Sequence, residues 1–234
     1  MKYKKIVEGM FISRPNRFIA QVLVDGKEET VHVKNTGRCR ELLVDNAKVY
    51  LSVSDNPARK TKYDLVAVEK VTDRGVILIN MDSQIPNDVV SEWLPHSGLF
   101  SNNAIIRREY TFGKSRFDFY VEDAERKAFI EVKGVTLEND GIVSFPDAPT
   151  ERGVKHVEEL VSALEKGYES YIIFVVQMKG VTEFRPNRAR HPEFAAVLKK
   201  AHQAGVKIIA LDCIVSPDAM KIDSEIKVNL IDYI

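Results

Sequence analysis

Between Lys114 and Gly134, in KSRFDFYVEDAERKAFIEVKG, apolar and polar residues alternate with a period of two on both sides of Ala124-Glu125. A helix repeats its faces every 3.6 residues and cannot use that pattern; an antiparallel hairpin with two unlike faces can. A turn at Ala124-Glu125 sets Asp118 opposite Glu131, Arg116 opposite Lys133 and Tyr120 opposite Phe129. One face then carries Phe117, Phe119, Val121, Ala128, Ile130 and Val132, ready for a core, and the other face holds the charges. Directly opposed residues have Cβ atoms about 4.5–5.5 Å apart. At that separation two carboxylates can share one hard divalent cation. Any half-exposed hairpin shows the same two faces. What favours a site is that FIEVKG reads as a buried strand whose only charges are Glu131 and Lys133, and enclosed charges need partners or a metal.

A chain of 234 residues can bury a sizeable core as one large domain or two small ones. Lys plus Arg and Asp plus Glu number 34 each, so any surface for a polyanion must be local. The two cysteines, Cys39 and Cys213, form no CxxC pair, which argues against a disulfide framework or a thiolate zinc site and fits a reducing, cytoplasmic setting. The start, MKYKKIVEGMFISRPNRF, is charged and lacks an apolar leader, and no later run approaches 18 apolar residues. The chain is therefore expected to be neither exported nor membrane-spanning.

Residues 1–82 alternate as short strands between turn residues: Ile6–Ser13, Phe18–Val24, Glu28–Val33, Lys48–Ser54, Tyr63–Val71 and Gly75–Met81. Asp25-Gly26 is a hairpin signal, and Arg38–Leu43 reads as a short helical patch. This is the rhythm of an OB-like β-barrel, although an SH3-like barrel would read much the same. Arg14, Arg17, Arg38, Arg40, Arg59, Lys60 and Lys62 fall in its loops, where they could track a phosphate backbone while Phe18 or Tyr63 stacks on bases. Scattered solubility charges are the alternative.

After DSQIPND, residues 83–234 read helix (Asp88–Leu94, capped by Asn87 or Asp88), then strands Ala104–Thr111, Arg116–Val121 and Ala128–Val135. Helix Thr150–Lys166, strand Tyr171–Met178, helix Pro192–Ala204 and strand Lys207–Asp212 follow. That order predicts an α/β sandwich with a mixed sheet. On the helix after Thr150, Val154, Val157, Leu160, Val161 and Leu164 form the apolar stripe, with Arg152 and His156 on the opposite side near a terminus suited to phosphate. Lys155 reads as solvated there, and Gln177 emerges at a strand end.

With these elements in place, Asp118 and the Glu131-x-Lys133 triplet on adjacent strands resemble the PD-(D/E)XK nuclease core, with Phe117 where that pattern has proline. NTGRCRELL, SDNPARKTKYDLV, KSRFDF, EVKGVTLENDGIVSFPDAPTERGVKHVEEL and FVVQ together resemble the sugar fermentation stimulation protein A (SfsA) family over nearly the whole chain. Arg38-Cys39 departs from the smaller or apolar residues expected after NTG. The resemblance implies an α+β two-domain protein: an OB-like nucleic-acid-binding domain, then a nuclease-like domain, with a link to DNA binding and sugar-gene regulation. In such a nuclease, Asp118, Glu131 and Lys133 would be catalytic. Asp118 and Glu131, with Glu92 as a further acidic ligand, would hold Mg²⁺ or Mn²⁺. Lys133 would position the attacking water and stabilise the transition state. Arg14, Arg17, Arg38, Arg40, Arg59, Lys60, Arg152, His156 and Gln177 would touch DNA, with RNA as the alternative. A non-catalytic DNA-binding regulator on the same scaffold, or a protein-interaction module with salt-bridged hairpin charges, would also carry these residues. The residues do not fix an oligomeric state, a homodimer being the one assembly considered.

Overall fold

The computed structural model describes residues 1–35 and 37–231, so Thr36 of the NTG motif lies outside the described residues. The first part is built from β1 (Ile6–Asn16), β2 (Ile19–Val24), β3 (Lys27–Val33), β4 (Lys48–Val53), β5 (Tyr63–Thr72) and β6 (Gly75–Asn80). They form one sheet in the order β3-β2-β1-β4-β5-β6, which closes on itself through parallel pairs His32↔Asp64 and Val33↔Leu65 between β3 and β5. Closure gives β3 a second partner, leaves β6 beside β5 at the end of the sheet order, and buries Phe11, Ala20, Val22, Val31, Val49 and Leu65 inside. At the β2–β3 turn Asp25 and Gly26 have φ of 48° and 77°, the left-handed pair that a two-residue hairpin of this hand requires. The helical patch expected at Arg38–Leu43 is instead a turn. Cys39 has a φ of 44°, and its carbonyl accepts from Leu42 and Leu43, which breaks any helix at its first residue.

The second part contains α1 (Ile85–Trp93), β7 (Ile105–Phe112), β8 (Ser115–Asp123), β9 (Arg126–Val135), β10 (Leu137–Asn139), β11 (Ile142–Phe145), α2 (Glu151–Glu165), β12 (Glu169–Val176), β13 (Glu183–Pro186), α3 (Pro192–Ala204), β14 (Lys207–Ser216) and β15 (Ala219–Val228). Its nine strands run β10-β11-β13-β15-β14-β12-β9-β8-β7. β12 is parallel to β9 and β14, whereas the β7–β8–β9 meander is antiparallel, so the sheet is mixed. Along β12, Tyr171, Ile173 and Val175 pack beneath α1, and Ile172, Phe174 and Val176 pack against α2 and α3. Helices therefore cover both faces of the centre, as the unbroken apolar run of β12 requires.

α1 starts three residues before the expected Asp88, because Ile85 and Pro86 enter the first turn; neither Asn87 nor Asp88 caps it. Thr150 does cap α2, its hydroxyl accepting from the Gly153 amide at 3.0 Å.

Candidate active site

The β8–β9 hairpin turns where expected, and its ladder pairs Tyr120 with Phe129 and Phe119 with Ile130. There it ends: the strands open into a fork one residue before Asp118 and Glu131 would face each other. Phe117 leaves the face of Phe119 and packs at 5.2 Å from the Phe129 ring, 6.3 Å from the His156 ring. The expectation that one face holds all the charges is thereby corrected. In the fork, Asp118 replaces the lost ladder partner, its Oδ2 accepting from the Val132 amide at 2.7 Å.

The two carboxylates are held from opposite faces of the sheet. Asn87 on α1 donates to Asp118 Oδ1 at 2.8 Å. Glu131, 2% exposed, receives on its Oε1 both the Lys133 ammonium and the His156 Nδ1–H from α2. Arg152 Nε lies 3.4 Å from His156 Nε2, a donor directed at that nitrogen, which leaves the ring proton on Nδ1. His156 thus faces inward, not to the solvated side of α2, drawn there by the carboxylate.

Burial drives the pKa of Asp118 up, and the charge of Glu131 adds to the rise; the Val132 amide, Lys133 and Asn87 offset only part of it. Burial also acts to raise Glu131, but His156 and Lys133 outweigh it and hold that carboxyl below the usual range. Burial and the neighbouring charges thus push the two carboxyls in opposite directions.

One atom speaks for a cation: Glu131 Oε2 is buried and, among the described residues, accepts no hydrogen bond. Asp118 is near enough to feel the Glu131 charge, and the two carboxylates together offer oxygen donors of the kind Mg²⁺, Mn²⁺ or Ca²⁺ takes. Among the described residues no three His, Cys, Asp or Glu side chains converge, so the remaining ligands would be backbone carbonyls, water and substrate oxygens.

Glu92 does not join this site. It is 56% exposed and pairs with the Met1 ammonium at 2.5 Å, about two-fifths of a helical turn round α1 from Asn87. Gln177 is buried at 1%, its amide donating to Asn80 O, Asn80 Oδ1 and Asp82 O at 3.0, 3.2 and 3.1 Å. It joins the two parts of the chain and offers nothing to solvent. Asn87, which the sequence offers as a helix cap, is the α1 residue that meets Asp118.

Of the basic loop residues, Arg14, Arg17, Arg38 and Arg40 do meet, around a cavity of about 530 Å³ shared with Asn16, Gly37, Leu43 and Ala148. Arg14 is consumed internally: its guanidinium donates to the carbonyls of Arg17, Asn35, Gly37 and Arg38 at 2.6 to 2.8 Å. Arg17 lies over Phe18, which is 51% exposed. Arg59 forks onto buried Asp64 at 2.7 and 2.8 Å, apart from that cavity, and Lys60 stands exposed on the same loop. Tyr63 is 6% exposed and cannot stack on a base.

A closed β-barrel followed by a mixed sheet with a forked, carboxylate-bearing hairpin defines a two-domain α+β protein. The chain matches the family described as "SfsA N-terminal OB domain" over residues 12–79 and as "Sugar fermentation stimulation protein RE domain" over residues 84–219. A sugar fermentation stimulation protein homolog of Clostridium beijerinckii is 54% identical over 230 residues, covering 98% of this chain and 100% of that one. One from Desulfitobacterium hafniense strain Y51 is 54% identical over 232 residues, 99% of this chain and 100% of its own. The solved structure of Pyrococcus furiosus SfsA in complex with Ca²⁺ shares 27% identity and superposes with a TM-score of 0.83, covering 98% of each chain. The chain belongs to the sugar fermentation stimulation protein family. Among the described residues no helix is long and apolar enough to cross a membrane.

Proposed function

We propose that this protein binds DNA and cleaves phosphodiester bonds with a divalent cation, Mg²⁺ or Mn²⁺, held by Asp118 and Glu131. Residues 1–82 serve as the nucleic-acid-binding domain and residues 83–234 as the nuclease-like domain. The observation that carries this reading is the buried, unpartnered Glu131 Oε2 beside a second carboxylate whose charge burial disfavours. The Ca²⁺ complex of the Pyrococcus furiosus relative supports it, since Ca²⁺ takes the same hard oxygen ligands. A cation bound here would lower the pKa of its water and neutralise charge building on the phosphate.

The chain's own residues do the rest. Asn87 and the Val132 amide fix the Asp118 carboxylate. His156 and Lys133 keep Glu131 ionised, so it is ready to act as a ligand at neutral pH. Lys133, with 16% of its side chain exposed, lies on the Glu131 face of β9 and can turn its ammonium onto a phosphoryl oxygen. Arg17, Arg38 and Arg40 beside exposed Phe18 supply phosphate and base contacts remote from the cut.

A non-catalytic DNA-binding regulator, linked to sugar metabolism, is the second reading. It is favoured by one fact: Lys133 and His156 already meet the Glu131 charge without a cation. End-labelled single- and double-stranded DNA and RNA incubated with Mg²⁺, Mn²⁺ or EDTA separate the two. Metal-dependent cutting that falls about 10²-fold or more in Lys133→Ala, with binding retained, is the expected result. Binding without cutting in any metal would leave the regulator.

A further inference from the structure

A second basic cavity, of about 520 Å³, opens beside the site and is lined by Lys114, Ser115, Arg116, Glu151, Arg152, Lys155 and His156. Lys114 sits at the β7–β8 turn and Arg116 at the start of β8, facing Arg152 and Lys155 on the first turns of α2. Four cations thus gather against one carboxylate, in a chain whose overall charge is zero. Such a concentration repels itself unless an anion enters.

The competing partners are weak. Arg116 reaches Glu109 at 3.5 Å and Lys155 reaches Glu159 at 3.8 Å, both long pairs with largely exposed cations, of a kind worth little in water. Lys114 makes no ion pair among the described residues. This differs from the cavity of the barrel loops, where the Arg14 guanidinium is committed to four carbonyls. The N-terminal end of α2, a helix of 15 residues, adds its positive end to the same space.

The wall of this cavity is wired to the carboxylate pair. Arg152 approaches His156 Nε2, and His156 Nδ1 donates to Glu131. A group seated against Arg152 is therefore separated from Glu131 by one imidazole ring.

We propose that this cavity binds a phosphate group of the nucleic-acid strand next to the one cleaved, held by Lys114, Arg116, Arg152 and Lys155. The cavity, and not only the barrel loops, then sets where the strand lies across Asp118 and Glu131. The inference rests on the proposed function for its ligand, a nucleic acid, but not for its readout. The group it takes is a phosphate, either an internal diester or a terminal monoester.

The test is fluorescence anisotropy in EDTA, where no cutting occurs, using a labelled single-stranded oligonucleotide with and without a 5′- or 3′-phosphate. A Lys114→Gln/Arg116→Gln/Lys155→Gln triple variant removes exposed charges only, so its fold is retained. It is expected to bind about tenfold or more weakly, with a log–log salt slope shallower by about two, near 0.7 for each lost contact to a single strand. A charge-matched triple at Lys5, Lys27 and Lys200, remote from the cavity, should bind as wild type does. Tighter binding of an end-phosphorylated probe by wild type but not by the cavity variant assigns a terminal phosphate; equal loss for all probes assigns an internal one. Unchanged affinity and slope in the cavity variant would overturn the proposal even if the protein cuts, as would a wild type that binds no probe. Loss of binding in a protein that never cuts would sustain the cavity and remove the nuclease reading.

Discussion

Asp118→Asn should make the metal-free protein more stable while abolishing its response to divalent cations. Asp118 is half-buried and its carboxyl is pushed up by burial and by the charge of Glu131, so ionising it at neutral pH weakens the fold. Asparagine removes that charge at constant shape. Its carbonyl keeps the Val132 amide, now at 2.7 Å from Oδ2, and its NH₂ meets Asn87, whose amide can turn to present oxygen in place of the 2.8 Å donor. No buried polar group is orphaned. The net gain is about 0.5–1.5 kcal/mol, in the range of other relieved functional strains. For a chain of this size that raises Tm by roughly 2–5 °C.

The proposed cation would reverse the order. Wild type at a hundred times its Kd would gain about 2.7 kcal/mol, and the variant would gain nothing. The sign with pH follows from the raised carboxyl. The destabilising charge is present above its folded pKa and gone below the ordinary carboxylate value, so the variant's advantage should vanish as pH falls. Differential scanning calorimetry in EDTA and in Ca²⁺ or Mg²⁺, at neutral and acid pH, reads all of this. An Asp118→Asn protein that melts below wild type in EDTA, or keeps the cation-dependent shift, would refute the account of this pair as a strained cation site.

Two further substitutions probe the frame. In Gly134→Ala the new Cβ would lie 2.4 Å from Gln177 Oε1 and 2.8 Å from Pro86 Cγ, one residue beyond Lys133. The loss should be about 1–3 kcal/mol in urea titration, and the proposed cleavage should weaken because β9 shifts under Lys133. Glu169 takes Arg126 on both oxygens at 2.6 and 3.1 Å, with Tyr171 and Lys207 as further donors, and its carboxyl is lowered to about 2, chiefly by Arg126. Its contribution is complete above the ordinary glutamate range and lost as pH falls toward 2. Glu169→Gln should then cost about 1 kcal/mol at pH 7, after allowance for solvent, and nothing once the pH is well below the folded value. Equal stability of the two proteins at pH 7 would show that solvent screens the cluster fully.

The barrel was legible because each strand carries its own signal: β2 to β6 alternate or run apolar between turn residues, and Asp25-Gly26 names its own turn. The helix α3 begins at Pro192 and ends before Gly205 (φ 112°), both local marks. β10, β11 and β13, of three or four residues each, carry too few positions to show a period. β15 does alternate, with Met220, Ile222 and Ile226 inward, but Ser224 interrupts the pattern at the Asp212 hydrogen bond. In the site, the register of the hairpin follows from alternation, whereas the fork at Asp118 does not. It depends on the side chain taking the Val132 amide in place of the backbone. Asn87 and Glu92 lie five residues apart on one short helix, and only packing decides which of them meets Asp118.

The same packing decides what the barrel can do for the site. Gln177, at the end of β12, binds Asn80 and Asp82 at the end of β6, and buried Asp82 also takes Lys34 at 3.0 Å. Buried Glu138 on β10 receives Lys70 from β5 at 2.6 Å and Arg74 from the β5–β6 turn at 3.3 Å. Breaking either cluster strands a buried acceptor, which costs more than an exposed ion pair returns. The barrel is therefore riveted to the sheet at two separate points. Its Gly37 Cα sits close enough to Asp147 that an added Cβ would lie 2.5 Å from Oδ2. Ala148, one residue on, lines the barrel's arginine cavity, and α2 with its own basic cavity begins three residues further along. The two basic cavities are thus fixed relative to one another by a single short segment, 147–152. A strand bound in both would have its path across Asp118 and Glu131 set before any cation arrived, which is the preorganisation that the proposed phosphodiester cleavage would use.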